Sequence, residues 1–81
     1  MGKHRSKLEQ QMEILLLLEK EDRLQTDLMY GCKLTHIRLV DHLQRLVEKA
    51  LVAWNDRTGK YCLTIAGKTV LARYEALREL I

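Results

Sequence analysis

Apolar residues recur at helical spacing in the first half of the chain. Leu8, Met12, Leu15 and Leu16 share one stripe, which Ile14, Leu17 and Leu18 widen. Ser6 stands just before the stripe and Glu9 three residues later, the signature of a capping box, so a first helix is predicted to start at Ser6. Its apolar surface is broader than one core face needs. Part of it is therefore expected to meet the last helix or a second subunit. Glu19-Lys20-Glu21-Asp22 ends the helix. A short helix over about 26–30 follows, with Thr26 as its cap, Leu28 and Met29 on its buried side and Gly31 as its breaker. Cys32-Lys33-Leu34 makes a tight connection, and Thr35 caps a third helix from His36 to about Ala50. At about 100° per residue, Leu39, Val40, Leu43, Leu46, Val47 and Ala50 lie on its inner face. Ile37, Arg38, Asp41, Gln44, Arg45, Glu48 and Lys49 point the other way, and His36 sits at the edge.

The period then changes. Leu51 to Asp56 and Tyr61 to Thr64 flank the turn Arg57-Thr58-Gly59-Lys60, which reads as a β-hairpin with Tyr61 and Leu63 facing inward. An isolated hairpin is marginal in water, so it is expected to pack on the helices. Thr64 caps a final helix from Ile65 to about Leu80, with Val70, Leu71, Tyr74, Leu77 and Ile81 as its apolar stripe. Gly67 falls in its first turn. Glycine there costs about 1 kcal/mol against alanine, which close approach of another backbone would justify.

Composition narrows the class. The 81 residues fit one domain, residues 1–81, with a basic N-terminal arm over 1–7 that includes Lys3, His4, Arg5 and Lys7. With 47% hydrophobic and 31% charged residues, the chain is a folded domain; the absence of proline suits a helix-rich one. A net charge of +3 favours anionic partners. The longest apolar run, Ile14 to Leu18, is too short to span a bilayer, and the N-terminus lacks a signal-peptide core, so no membrane partner and a cytoplasmic location are expected. Met1 to Ser6 loosely fits an N-myristoylation pattern but reads better as the basic arm. Cys32 and Cys62 are expected to be reduced thiols.

The order helix, helix, turn, helix, hairpin, helix is α+β, mostly α: a winged helix-turn-helix of three helices, a two-stranded β-hairpin wing and a C-terminal helix. Leu28-Met29-Tyr30-Gly31-Cys32-Lys33-Leu34-Thr35 resembles the helix-turn-helix of an archaeal winged-helix family that includes the small crenarchaeal chromatin proteins of about ten kilodaltons. Leu43, Leu46 and Leu51 resemble its following core positions. Tyr61-Cys62-Leu63-Thr64 with Gly67 resembles its second wing strand and last helix start. Members usually carry glycine where this chain has Ala50. Chromatin-type members also extend the last helix into a long coiled-coil dimer; with Ile81 as the last residue a shorter contact is expected, and small regulators of archaeal viruses are similar and equally short.

The resemblance implies double-stranded DNA as partner, a homodimer through the first and last helices, and a cytoplasmic setting in an archaeal or virus-infected host cell. Thr35, His36, Ile37, Arg38, Asp41, His42 and Arg45 are the expected major-groove residues of the helix over about 35–50, with Lys33 beside them. The wing, about 56–61, offers Arg57 and Lys60. Arg38 and Arg45 can bond guanine bidentately or clamp phosphate. Asp41 accepts from cytosine or pairs with Arg45 as an ordinary helix pair. Trp54, the single tryptophan, is expected to pack in the core or at an interface. Cys-x2-Cys and His-x3-His pairs are absent, which disfavours a metal site, and no cofactor is expected. Ser6 is the only serine, and no phosphate loop or nucleophile elbow exists, so no enzyme is expected. The function expected is a homodimeric transcriptional regulator that binds duplex DNA. The alternatives are a protein-interaction module on the same scaffold and a non-specific chromatin protein.

Overall fold

Ser6 starts the first helix as its spacing predicts. In a computed structural model describing residues 5–80, the Glu9 amide donates to Ser6 Oγ (3.0 Å) and the Ser6 amide to Glu9 Oε1 (2.8 Å). The chain then forms α1 (Lys7–Lys20), α2 (Gln25–Cys32), α3 (His36–Glu48), strands β1 (Val52–Asn55) and β2 (Lys60–Leu63), and α4 (Ile65–Leu80). This is the element order of a winged helix-turn-helix. The broad apolar surface of α1 is explained by its central position. It packs on α2, α4 and β2, and buries Met12, Ile14, Leu15 and Leu18. Leu28, Cys32, Leu34, Leu39, Leu43, Leu46, Val52 and Leu71 complete the core from the rest of the chain. Leu8, Val47 and Leu77 stand on the predicted inner stripes but are exposed. Ile81 lies outside the described residues.

The second helix departs from the sequence reading at both ends. Leu24, with no side-chain cap, precedes it, so Thr26 lies inside the first turn. Gly31 does not break it. A Cβ there would come within 2.6 Å of Leu17 Cδ1, so the glycine serves close packing on α1. The break falls at Lys33 (φ 54°), where the Leu34 amide donates to Met29 O (3.0 Å). The third helix repeats this ending and closes earlier than predicted. Ala50 takes the left-handed conformation (φ 61°), with Leu51 N–H donating to Leu46 O (3.0 Å) and Ala50 N–H to Val47 O (2.9 Å). That pair of bonds is a Schellman motif, whose left-handed residue is usually glycine.

Strands β1 and β2 pair antiparallel, Val52 opposite Leu63 and Trp54 opposite Tyr61. A feature the sequence reading missed widens the wing base. Arg23 and Tyr61 exchange both backbone hydrogen bonds (3.1 and 2.8 Å), adding an isolated bridge from the segment between α1 and α2. Arg23 Nε also donates to Leu17 O (3.2 Å), satisfying a carbonyl near the end of α1. Thr64 joins hairpin to helix: its Oγ1 accepts from the Gly67 amide (2.9 Å) and donates to Ala50 O (2.7 Å). A Cβ on Gly67 would lie 2.2 Å from Leu51 O, so the expected close approach of another backbone is present.

Candidate nucleic-acid interface

Thr35 sets the direction of α3 by accepting from the Arg38 amide through Oγ1 (3.3 Å). Leu39, Leu43 and Leu46 then fix the inner face in the core, which leaves the opposite face in solvent. Ile37 is 82% exposed there, and Arg38 and Arg45 are exposed beside it. Asp41 is half-buried and accepts from Arg45 Nε through Oδ2 (3.2 Å), the ordinary helix pair. His36 stays exposed at the edge, its Nδ1 3.4 Å from Gln25 Nε2. Lys33 is exposed in the turn before α3.

His42, expected among the groove residues, does not lie on this face. It is only 1% exposed and lies between α1 and α3. Its Nε2 is 2.7 Å from Gln10 Oε1 and its Nδ1 3.2 Å from Gln11 Nε2. An amide oxygen only accepts, so Nε2 carries the proton and Nδ1 accepts a hydrogen bond from Gln11 Nε2. Burial lowers the imidazole pKa below its ordinary value; Asp41 opposes this, while Arg38, Lys7 and Arg45 reinforce it. At about 140° from Ile37 on the helical wheel, His42 belongs to the inner half of α3. The buried Gln10 was the missing signal, a polar side chain on the core stripe of α1 that needs a partner.

The N-terminal arm also changes. Lys3 and His4 lie outside the described residues. Arg5 is not free: it forms an ion pair with Glu13 and donates from Nη2 to Lys33 O (3.5 Å). Lys7 is the first residue of α1 and shares a shallow surface depression with Thr35, Ile37, Arg38 and Asp41. A cation from α1 thus stands beside the start of α3. The sequence showed the charge but not its neighbour, because that juxtaposition depends on how α1 crosses α3.

On the wing, Asn55 Oδ1 accepts from the Arg57 amide (2.9 Å) and Thr58 Oγ1 from the Lys60 amide (3.3 Å). Gly59 takes φ 70° in the turn, with open space around it. These bonds hold the tip that carries exposed Arg57 and half-buried Lys60. Trp54 is half-exposed, edge-on to Tyr61 at 4.9 Å, and with Val40 and Val47 lines a groove between the hairpin and α3.

Cys32 and Cys62 are free thiols. Burial, with Glu13 nearby, pushes the Cys32 thiol up to about 11 despite Arg5. Among the described residues, no three His, Cys, Asp or Glu side chains come together as a metal site. No helix in that range is long and apolar enough to cross a membrane.

A family model described as winged helix-turn-helix matches residues 4–81. No curated protein sequence matches the chain. Among solved structures, a mutant of ZitR from Lactococcus lactis aligns over 98% of this chain with a TM-score of 0.72 and 20% sequence identity. This chain spans 60% of the ZitR chain, and at that identity the likeness is one of fold.

Proposed function

From the chain's membership of the winged helix-turn-helix family, we propose that it binds double-stranded DNA as a transcriptional regulator, with α3 in the major groove and the wing on the flanking backbone. The observation that carries this reading is the division of α3. Its inner side is fixed by Leu39, Leu43 and Leu46, and its outer side presents Ile37, Arg38, Asp41 and Arg45 to solvent. Thr35, His36 and Lys33 stand at the entrance of that face, where side chains near a recognition helix N-terminus meet base edges and phosphates. Lys7 adds a cation on the α1 side, and Arg57 and Lys60 add two on the wing. Phosphate contacts position such a domain, and base contacts select the sequence.

The chain acts as one domain, residues 1–81, whose basic N-terminal stretch over 1–7 ends in Lys7 beside the recognition helix. It works as a homodimer through α1 and α4, which pack together and leave Leu8 and Leu77 exposed. A twofold dimer doubles the base contacts and matches palindromic half-sites. The resemblance of 28–35 to the archaeal family supports a regulator of an archaeal cell or of an archaeal virus, acting in the cytoplasm without enzymatic activity.

Selection of bound sequences from random duplex DNA tests this. A consensus should emerge, palindromic if the protein docks as a dimer. Arg38→Ala and Arg45→Ala should each weaken binding to it about tenfold, in the range of one lost bidentate contact, with unchanged circular dichroism. Unchanged affinity in both variants removes α3 from the groove. Absence of any duplex binding at low salt and micromolar protein leaves the scaffold as a protein-interaction module.

A further inference from the structure

Ile37 has no role in holding the fold. It is 82% exposed, in the first turn of a helix already capped by Thr35. A β-branched residue is also a poorer choice for a solvent-facing helix position than the straight-chain polar residues. Its neighbours in the surface depression are Lys7, Thr35, Arg38 and Asp41, each bearing a polar or charged group. Asp41 and Gln44 continue from Ile37 along the outermost line of α3. In the proposed docking, Ile37 is therefore the apolar point of the helix that faces the floor of the groove.

Major-groove base edges consist of donors, acceptors and one aliphatic group, the C5-methyl of thymine. An isoleucine against a donor or acceptor removes water from it and returns no hydrogen bond, which is unfavourable. Against a thymine methyl, both surfaces leave water together. We infer that Ile37 is a specificity-determining residue that selects thymine by contact with its 5-methyl group. The inference rests on the proposed docking of α3. The surrounding polar groups fit the division of labour: Lys7 and Arg38 reach phosphate or guanine, and Asp41, held by Arg45, keeps its second oxygen for an amino group of a base.

Deoxyuridine lacks only that methyl. In the duplex selected from random DNA, each thymine is replaced in turn by deoxyuridine, and affinity is read by fluorescence anisotropy. The wild type should lose about fourfold at one position per half-site, the equivalent of one buried methyl. Ile37→Ala should bind the thymine and uracil duplexes equally, and Ile37→Val should keep the preference. A wild type indifferent to uracil at every position, with Arg38→Ala still weakening binding, overturns the role of Ile37 and leaves the docking standing. A uracil effect that persists in Ile37→Ala also overturns it, because the methyl is then read by another group or through duplex shape. A chain that selects no duplex at all overturns the docking and the inference together.

Discussion

Ala50 and Gly67 are reversed in what they need. Ala50 holds the left-handed position that ends α3, where a side chain other than glycine is disfavoured by about 1–2 kcal/mol. Ala50→Gly relieves that conformation but gives the unfolded chain about 0.5–1 kcal/mol more entropy to lose. A net gain of roughly 0.5–1 kcal/mol follows, read as a rise of a few degrees in Tm; a fall would contradict the assigned backbone conformation. Gly67→Ala sets a Cβ against the Leu51 carbonyl, which is backbone and cannot turn aside. It should lower the urea midpoint by the equivalent of 2 kcal/mol or more, in the range of core overpacking. His42 makes stability depend on pH. Its imidazole is depressed in the fold, so below about pH 6.5 the unfolded chain takes up a proton that the native state refuses. Stability should be full at neutral pH and decline as pH falls from about 6.5 through the depressed native value. His42→Gln should lose less stability between pH 7.5 and 5 than the wild type does, by urea denaturation. Cys32, buried with its pKa raised to about 11, should react with a thiol reagent only after unfolding. Rapid modification of the native thiol would show that α2 opens.

At the scale of elements, the legible parts of the chain were those with strong local chemistry. Ser6 and Glu9, Thr35, and Thr64 with Gly67 marked helix starts that the structure reproduces, because a cap is a contact over three residues. The hairpin was legible from Gly59 and its flanking aromatic and branched residues. What failed was decided by tertiary contact. Gly31 has the conformational freedom of a breaker, yet it stays helical and lets Leu17 approach closely. Helix ends then fell on Lys33 and Ala50, residues whose left-handed conformations no propensity announces. Arg23 bridges to Tyr61 across 38 residues of chain, which spacing cannot show. The outward face of α3 was readable from its period for Ile37, Arg38 and Arg45. His42 failed because its partners, Gln10 and Gln11, stand on another helix. The His42 bonds tie the back of α3 to α1, so they also hold the outward face at a fixed angle.

At the scale of the whole molecule, one group of cations flanks the outer face of α3 and another stands on the wing. Lys7, Lys33, Arg38 and Arg45 surround the start and outer side of α3, and Arg57 and Lys60 stand on the wing. Asp41 in the middle of α3 and Glu48 at its end keep the helix from being uniformly basic. In the proposed docking, attraction to DNA falls to the surrounding cations and selection to the line through Ile37 and Asp41. Affinity for duplex should fall steeply with salt, with a slope reduced by about one for each phosphate-contacting lysine or arginine removed. Asp41→Ala should raise affinity for random-sequence duplex, by removing a negative charge and freeing Arg45, while weakening discrimination among sequences. The direct test is an NMR titration of the isotope-labelled protein with the selected duplex, following the backbone amides. The largest shifts should fall on residues 35–45, on 57–60 and at Lys7. Shifts centred instead on Leu8 and the end of α4, with α3 unmoved, would contradict the account.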